Sequence, residues 1–223
     1  MHNEVLVKEH VSAKERVSNL GYRIVKRFVD IIAGIFGIIL LIPMFIIIKI
    51  AYMLTGDFNK IIFTQNRIGK NGKEFKLYKF RSMVMNADEI LFKYLEENEE
   101  AAKEYKRYKK LDNDPRITKV GKFIRKFSID EFPQFINVLI GNMSLVGPRP
   151  YLPREKEDMG EYYSAIIKSK PGITGHWQVN GRSATTFGKR LVMDEYYTNH
   201  AGTITDLKII FKTFLQFLGK DAK

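Results

Sequence analysis

Residues 125–150 read RKFSIDEFPQFINVLIGNMSLVGPRP and place two adjacent carboxylates, Asp130 and Glu131, between basic residues and a Gly-Pro-Arg-Pro turn. Two helix starts are compatible with this stretch. Ser128 can be the N-cap with Glu131 three residues on, as in a capping box, or the residue before Pro133 can be the N-cap with the proline at the first helical position. In both cases the acid pair lies at a helix N-terminus, where the helix dipole favours ionised carboxylates and free backbone N–H groups can face a phosphate.

Asp130 is the candidate nucleophile in this stretch. An aspartate has a reference pKa of about 3.9, so it is already anionic at neutral pH and can attack phosphorus without first losing a proton to a base. A purely structural interpretation is also open, because Ser-x-x-Glu before an apolar run is a common helix cap, and Asp130 then only adds favourable charge to the first turn. The motif alone does not choose between these interpretations.

The composition of the 223-residue chain limits the classes of protein to which it can belong. Its length suits one catalytic domain of ordinary size with a small appendage. A net charge of +12 indicates an anionic partner, which can be nucleic acid, an anionic bilayer surface or a phosphate-rich substrate. The chain has no cysteine and its four histidines are not spaced as ligands, which excludes disulfides and thiolate metal sites and argues against a zinc enzyme.

Residues 31–48 are uncharged and almost wholly apolar, and a helix of this length reaches about the hydrocarbon thickness of a bilayer. Lys and Arg residues lie close on both sides, so the positive-inside rule predicts that both ends stay in the cytoplasm. Pro43 within the run predicts a kink. We therefore expect a re-entrant membrane helix over residues 28–54, preceded by a lead-in over residues 1–27; a straight span is the alternative.

Short β-like runs follow the apolar segment in residues 61–83. The turn residues GKNG at positions 69–72 join them, which predicts a β-hairpin. The second arm ends in Lys79 and Arg81, two cations that can either neutralise phosphates or form a solvated face.

Residues 86–111 are rich in Glu, Lys and Ala with apolar residues at near-helical spacing, which predicts an amphipathic surface helix that can break near Asn98. Asp112 and Asp114 follow, with the Asp-x-Asp spacing that nucleotide-sugar enzymes of another fold use to bind a metal. Because an aspartate before proline is mainly a turn signal, we favour a turn here.

The carboxy-terminal part of the chain combines a constrained arginine with predicted helices. Prolines on both sides hold Arg149 in an extended or turn conformation, which suits bidentate contact with phosphate. Residues 154–168 predict a polar helix, and residues 176–179 predict a strand that ends at an Asn-Gly hairpin dipeptide. Residues 207–218 repeat apolar side chains at helical spacing and predict a strongly amphipathic helix, which either packs on the core or lies in a membrane interface.

Several stretches of this chain resemble, in sequence and in order, the core of the bacterial sugar transferases, the membrane-bound polyprenyl-phosphate phosphoglycosyl transferases. The resemblance extends from about residue 23 to about residue 213. It rests on the stretches KFRSM (79–83), DEFPQ (130–134), NVLIGNMSLVGPRP (137–150), PGITG (171–175) and QVNGR (178–182).

The resemblance implies an α/β fold that is mostly α with short β-hairpins. It comprises an N-terminal re-entrant membrane helix hairpin, interfacial amphipathic helices and a compact cytosolic catalytic domain over residues 55–223, at the cytoplasmic face of the bacterial inner membrane. The implied reaction joins a UDP-sugar to polyprenyl phosphate, undecaprenyl phosphate in particular, and gives polyprenyl-diphosphate-sugar and UMP with Mg²⁺ present. This is the first membrane step of exopolysaccharide, capsule or O-antigen assembly, and glucose or galactose is the favoured sugar.

The resemblance also implies residue roles. Asp130 attacks the β-phosphorus and carries the sugar phosphate as an acyl phosphate, while Glu131 helps to hold Mg²⁺ or handles a proton, so both acids are expected metal ligands. The expected phosphate-binding cations are Lys79, Arg81, Arg125, Arg149 and Arg182.

Two other functions are compatible with parts of the sequence. A basic, membrane-attached adaptor that binds acidic lipid or nucleic acid explains the charge and the apolar segment, but it does not explain the ordered Gly, Pro and Arg motifs. Direct glycosyl transfer through Asp112 and Asp114 would release UDP instead of UMP. We therefore expect a phosphoglycosyl transferase with membrane lipids, and no nucleic acid, among its partners.

Overall fold

The computed structural model describes residues 19–181 and 185–219. They form mainly helices, together with two small sheets, and the chain divides into two compact units. The central unit comprises Gly37–Thr64 and Tyr78–Pro133, and the terminal unit comprises residues 19–36, Gln65–Leu77 and the described residues from Gln134 onward.

Helix α1 spans Leu20–Leu54, and its 35 residues include the whole apolar run seen in the sequence. By length and composition it could cross or enter a membrane, and 17% of its most apolar 18-residue window is buried within the protein. Pro43 lies inside the helix, where its ring removes one backbone hydrogen-bond donor. Most of the apolar surface of α1 is therefore left for contact with something other than this chain.

The predicted hairpin is confirmed. Strands β1 (Ile62–Ile68) and β2 (Glu74–Phe80) form a two-stranded sheet, and a 3₁₀ turn at Lys70–Gly72 joins them. Asn71 has a positive φ of 58°, a conformation that asparagine tolerates better than most residues. The hairpin places Lys79 near the end of β2.

After β2 the chain continues in the central unit mainly as helices. Helices α2 (Ala87–Glu97) and α3 (Glu99–Tyr108) are separated at Asn98, where the backbone is extended, so the predicted break is confirmed. Helix α4 (Lys119–Lys126) follows. A 3₁₀ turn at Ile129–Glu131 then carries the acid pair.

The terminal unit contains a small parallel sheet. Strand β3 (Ser144–Val146), which follows α5 (Gln134–Ile140), pairs with β4 (Gly172–Thr174) so that Ser144 lies opposite Gly172. Parallel strands need a crossover connection, and here short helical segments provide it. These segments are a 3₁₀ turn at Pro153–Glu155, α6 (Lys156–Met159), a 3₁₀ turn at Gly160–Tyr162 and α7 (Tyr163–Ile166).

Two predictions for this unit are wrong. Residues 154–168 do not form one polar helix, because Gly160 has a positive φ of 52° and interrupts it. Residues 176–179 form helix α8 (His176–Asn180) instead of a strand, and the Asn180 side-chain amide donates to the His176 carbonyl at 2.8 Å. Since β4 is paired with β3, the second sheet is a parallel pair and not a hairpin.

Helices α9 (Phe187–Asn199) and α10 (Thr203–Phe217) complete the terminal unit and close its apolar core. One core cluster consists of Ile68, Tyr151, Met159, Ile166, Phe187 and Leu191. A second cluster consists of Val146, Val179, Tyr197, Ala201 and Ile209. The two clusters pack the hairpin, β3 and the last three helices into one unit.

Helix α10 has a buried face and an exposed apolar face. Asp206 and Ile209 are buried against the unit. The exposed stripe, whose side chains are between 56% and 70% exposed, consists of Ile204, Leu207, Phe211, Phe214 and Leu218. Core packing therefore explains one face of the predicted amphipathic helix, and no part of the chain that the structure describes covers the other.

Candidate active site

The acid pair Asp130 and Glu131 lies in a 3₁₀ turn between α4 and α5. Ser128 has a positive φ of 55° and its hydroxyl makes no capping hydrogen bond, so the predicted capping box is wrong. The physical reason is that Ser128 closes α4, since its N–H donates to the Arg125 carbonyl at 3.1 Å. Helix α5 begins at Gln134, one residue later than the predicted proline start, so the acid pair precedes that helix along the chain.

Lys79 forms an ion pair with Glu131, with 2.8 Å between its Nζ and the Oε1 atom. Both side chains are partly exposed, so the pair adds little to stability and mainly orients the glutamate. By contrast, no other side chain within residues 19–181 and 185–219 donates a hydrogen bond to the Asp130 carboxylate. The acid pair is thus asymmetric, with one carboxylate held by a cation and the other open to a reactant.

The charges around Asp130 act on one another. Burial raises the pKa of the Asp130 carboxyl above its ordinary value; the charge of Lys79 opposes this shift, that of Glu131 reinforces it, and that of Arg125 opposes it. A carboxylate with a raised pKa is a better nucleophile once it is ionised. The structure therefore brings four of the residues singled out from the sequence together in the central unit.

Gly121 fixes the position of α4, the helix that carries Arg125. The Thr118 hydroxyl caps this helix by accepting from the Gly121 N–H at 2.9 Å, and the Thr118 N–H donates to the Ser82 carbonyl at 3.1 Å. A Cβ on Gly121 would overlap that carbonyl oxygen. The missing side chain lets α4 dock against the chain just after β2, beside the strand that carries Lys79.

Arg81 also lies in the central unit, but its buried guanidinium is held by other partners. Its Nη1 pairs with Oδ2 of Asp57 at 2.8 Å, and its Nε donates to the Lys60 carbonyl at 2.7 Å. The guanidinium lies 4.3 Å from the centroid of the Tyr52 ring, and the Tyr52 hydroxyl donates to the Arg81 carbonyl. Arg81 thus ties the end of α1 to β2, and its contact with phosphate stays a prediction.

The Asp-x-Asp pair is not arranged as a metal site. Asp114 is buried, and its two carboxylate oxygens accept from Nε and Nη2 of Arg116 at 2.7 and 2.6 Å. The Asp112 side chain is 80% exposed. One guanidinium therefore occupies both oxygens of the second acid, as expected for a turn.

Arg149 lies in the terminal unit, where a buried aspartate of α9 holds its backbone. The Arg149 N–H and the Tyr151 hydroxyl donate to Oδ2 of Asp194 at 3.0 and 2.8 Å. The Arg149 guanidinium is 3.9 Å from the carboxylate of Glu155, and its Nε has no hydrogen-bond partner among the described residues. An unsatisfied donor of this kind is compatible with the predicted phosphate contact.

The remaining predictions concern Arg182 and Mg²⁺. Arg182 lies outside the described residues, so its role stays a prediction. Over residues 19–181 and 185–219, no group of three or more His, Cys, Asp or Glu side chains could hold a metal ion. Asp130 and Glu131 nevertheless suit Mg²⁺, because this ion is usually bound through one or two carboxylates together with substrate phosphates.

Sequence reasoning misses Asp57 and Asp194. Asp194 carries a signal, because it stands three residues from both Leu191 and Tyr197, and helical spacing puts its charge on a buried face that must supply partners. Asp57 carries no such signal. It follows α1 in an irregular segment, and its partner Arg81 is 24 residues away.

The Asp194→Asn variant is expected to lose a pH dependence of stability. Burial raises the pKa of Asp194 to about 7, although bonds from Arg149 and Tyr151 oppose this. In the unfolded chain an aspartate has a pKa of about 3.9. Between about pH 3.9 and pH 7, Asp194 is therefore protonated in the native state and ionised in the unfolded state, so the stability of the native state falls as the pH rises through this range. At pH 8 the variant should be more stable than the parent by up to about 4 kcal/mol, and at pH 4 the two should match.

Thermal unfolding in detergent at both pH values measures this difference. A variant that is less stable than the parent at pH 8 would show that the ionised carboxylate is required in the fold, contrary to this expectation.

A model of the bacterial sugar transferase family matches residues 21–220. The chain is 43% identical over 199 residues to an undecaprenyl-phosphate galactose phosphotransferase of Salmonella typhimurium, an alignment that covers 89% of this chain and 41% of that protein. It is 39% identical over 210 residues to the UDP-glucose:undecaprenyl-phosphate glucose-1-phosphate transferase of Escherichia coli K12, covering 90% of this chain and 42% of the relative. The exopolysaccharide production protein ExoY of Rhizobium meliloti is 38% identical over 188 residues, and this alignment covers 84% of this chain and 83% of that protein. The chain therefore spans less than half of the first two relatives and most of the third.

Proposed function

The chain belongs to the bacterial sugar transferase family, and we propose that it transfers a sugar 1-phosphate from a UDP-sugar to polyprenyl phosphate. The products are polyprenyl-diphosphate-sugar and UMP. The observation that carries the proposal is the cluster of Asp130, Glu131, Lys79 and Arg125, which combines an available carboxylate with two cations. The names of the relatives from Salmonella typhimurium and Escherichia coli specify undecaprenyl phosphate, so we propose this lipid as the acceptor.

The first half-reaction forms a covalent intermediate on Asp130. Its carboxylate oxygen attacks the β-phosphorus of the UDP-sugar, and the bond from that phosphorus to the bridging oxygen breaks, with the electron pair leaving on UMP. The sugar phosphate is then joined to the enzyme as an acyl phosphate. In the second half-reaction an oxygen of polyprenyl phosphate attacks the same phosphorus, and the Asp130 carboxylate leaves unchanged.

The surrounding cations neutralise charge, on which phosphoryl transfer depends together with positioning. Lys79 and Arg125 supply positive charge beside the nucleophile, and Lys79 also fixes Glu131. The further candidate phosphate ligands are Arg81, Arg149 and Arg182. Asp130 and Glu131 would hold Mg²⁺ together with the phosphates of the donor, and a bound ion would supply further positive charge there.

Membrane attachment fits two exposed apolar surfaces, on α1 and on α10. We place α1 in the bacterial inner membrane as a re-entrant helix, entered from the cytoplasmic face, with the catalytic residues 55–223 in the cytoplasm. The exposed stripe of α10 then lies in the membrane interface, where its apolar side chains contact lipid instead of water. A lipid-borne acceptor is thereby brought to a water-soluble donor.

Single cysteines at positions 5 and 60 should both be labelled from the cytoplasmic side. The native chain has no cysteine, so each variant gives one signal against no background. We expect a membrane-impermeant thiol reagent to label both positions in inverted vesicles and neither position in intact spheroplasts. Labelling of the two positions from opposite sides would establish a straight span and refute the re-entrant helix.

Lys79→Gln should shift the acid limb of the pH–rate profile to higher pH. The nucleophile must be ionised, burial raises the pKa of Asp130, and the charge of Lys79 holds it lower than burial alone would. Removing that charge leaves less of the carboxylate ionised at a given pH. Single-turnover UMP release measured across pH tests this, with the exposed Lys122→Gln on α4 as control; an unshifted acid limb in Lys79→Gln would contradict it.

A nucleotide-release assay tests the proposed function itself. Detergent-solubilised protein is incubated with Mg²⁺, undecaprenyl phosphate and either UDP-glucose or UDP-galactose, and the nucleotide is identified by chromatography. UMP formed together with lipid-linked sugar is the expected result. UDP as the product would indicate direct glycosyl transfer, and no nucleotide release from any donor in a wider panel would favour a non-catalytic adaptor.

A further inference from the structure

Four cations of the terminal unit lie close together near the start of the apolar run of α1. Arg23 and Arg27 are one helical turn apart on this helix and so share a face. Lys70 lies in the hairpin turn, and Lys170 lies just before β4. Three separate segments of the chain thus contribute to one basic cluster.

Packing within the unit brings these segments together. The Nζ of Lys170 and the guanidinium carbon of Arg27 both lie within 4 Å of the position that a Cβ would take at Gly141. The hairpin turn reaches the same region, because the Asn71 N–H donates to the Ile167 carbonyl at 2.7 Å. The cluster is therefore set by the fold and not by one flexible segment.

The cluster carries more positive charge than its surroundings neutralise. Within the described ranges the ammonium groups of Lys70 and Lys170 make no hydrogen bond and no ion pair. Arg27 donates to the carbonyls of Val138 and Leu139, near the C-terminal end of α5, at 2.8 and 2.7 Å, and these acceptors carry no net charge. The charge of the nearby Asp30 carboxylate acts on Lys170, but it is one negative charge beside four positive ones and offsets only part of the excess.

Burial and the neighbouring positive charges both lower the pKa values of Lys70 and Lys170. Burial lowers the pKa of Lys170, the charge of Arg27 lowers it further, Asp30 opposes this, and Lys70 lowers it again. Burial likewise lowers the pKa of Lys70, and the charge of Arg23 adds to the effect. Partly buried cations whose charge is only partly offset are costly, and an anion bound among them lowers that cost.

We propose that Arg23, Lys70 and Lys170 bind the phosphate of an anionic phospholipid headgroup. Arg27 precedes the apolar run by four residues, or about 6 Å along the helix axis, which puts the cluster at the level of the headgroups when α1 enters the bilayer. Lysine and arginine near a membrane surface attract anionic headgroups. The inference rests on the proposed insertion of α1, and it gives the basic cluster a role separate from the chemistry at Asp130.

Lipid retention in the double variant Lys70→Gln/Lys170→Gln tests this inference. Native mass spectrometry of protein titrated in detergent with phosphatidylglycerol should give an apparent Kd about 30-fold weaker than that of the parent. The matched control Lys73→Gln/Lys189→Gln removes the same charge from exposed positions of the same unit and should bind as the parent does. Phosphatidylcholine should not be retained by any of them.

Three outcomes would overturn the inference. The first is binding of phosphatidylglycerol by the double variant as tightly as by the parent, and the second is displacement of the lipid by inorganic phosphate. The third is weakened binding of undecaprenyl phosphate alone, which would assign the cluster to the acceptor. Arg23 is exposed, so Arg23→Gln should not disturb the fold, and it should weaken binding of phosphatidylglycerol about fivefold. This variant therefore separates a loss of lipid binding from misfolding. Two measurements on the parent protein separate this inference from its premises. If the proposed function is wrong, the parent releases no UMP. If α1 does not insert into the membrane, the parent is found in the soluble fraction.

Discussion

Asp130→Asn should lower the rate of UMP release by about a thousandfold or more. The amide has the shape of the carboxylate but no anionic oxygen to attack phosphorus. Across the described part of the chain no other side chain donates a hydrogen bond to Asp130, so the fold should survive the change. Because the first half-reaction needs no acceptor, UMP release should disappear even when polyprenyl phosphate is left out, as measured by chromatography of the nucleotides.

Asp112→Asn is the matched control for this prediction. The Asp112 side chain is exposed and belongs to the Asp-x-Asp pair, so its amide should leave UMP release unchanged if that pair forms only a turn. UMP release by Asp130→Asn at the rate of the parent would exclude Asp130 as the nucleophile. Loss of activity in Asp112→Asn, with activity kept in Asp130→Asn, would instead favour chemistry at Asp112 and Asp114.

Gly121→Ala should destabilise the protein by about 3 kcal/mol or more and remove most of its activity. The added methyl group would overlap the backbone carbonyl of Ser82, which cannot move aside as a flexible side chain can. Helix α4 must then shift away from the end of β2, and Arg125 shifts with it. Thermal unfolding and UMP release measured on the same preparation report the two effects.

Gly188→Ala gives the corresponding control. Gly188 lies in α9, and a Cβ there meets nothing within 4 Å, so alanine should stabilise the helix by about 0.5–1 kcal/mol. Equal stability of Gly121→Ala and the parent would mean that α4 does not depend on its close approach to Ser82.

Local patterns predict the elements that local interactions determine. The apolar run identifies α1, turn residues identify the hairpin, and Asn98 marks the break between α2 and α3. The wrong predictions concern segments whose conformation is set by distant contacts. Residues 176–179 form a helix although a hairpin dipeptide follows them, and Val179 of this helix packs into a core cluster with the distant Tyr197 and Ile209.

In the candidate site, too, the sequence identifies individual residues but not the partners that they contact. Motif order points to Asp130 and Glu131, but the partner that holds Glu131 is Lys79, which lies 52 residues away. Asp194 supports Arg149 across 45 residues. Tertiary packing sets such pairs, and neither helical periodicity nor turn chemistry contains them. Periodicity likewise predicts an amphipathic α10 without showing which of its apolar side chains are buried.

The mass of the protein during turnover tests covalent catalysis most directly. Enzyme mixed with its UDP-sugar and Mg²⁺ without polyprenyl phosphate is quenched in acid and analysed intact. An increase equal to one sugar phosphate, placed on Asp130 by fragmentation and lost when polyprenyl phosphate is added, is the expected result. Protein that keeps its unmodified mass at every time point while UMP accumulates would contradict an aspartyl intermediate.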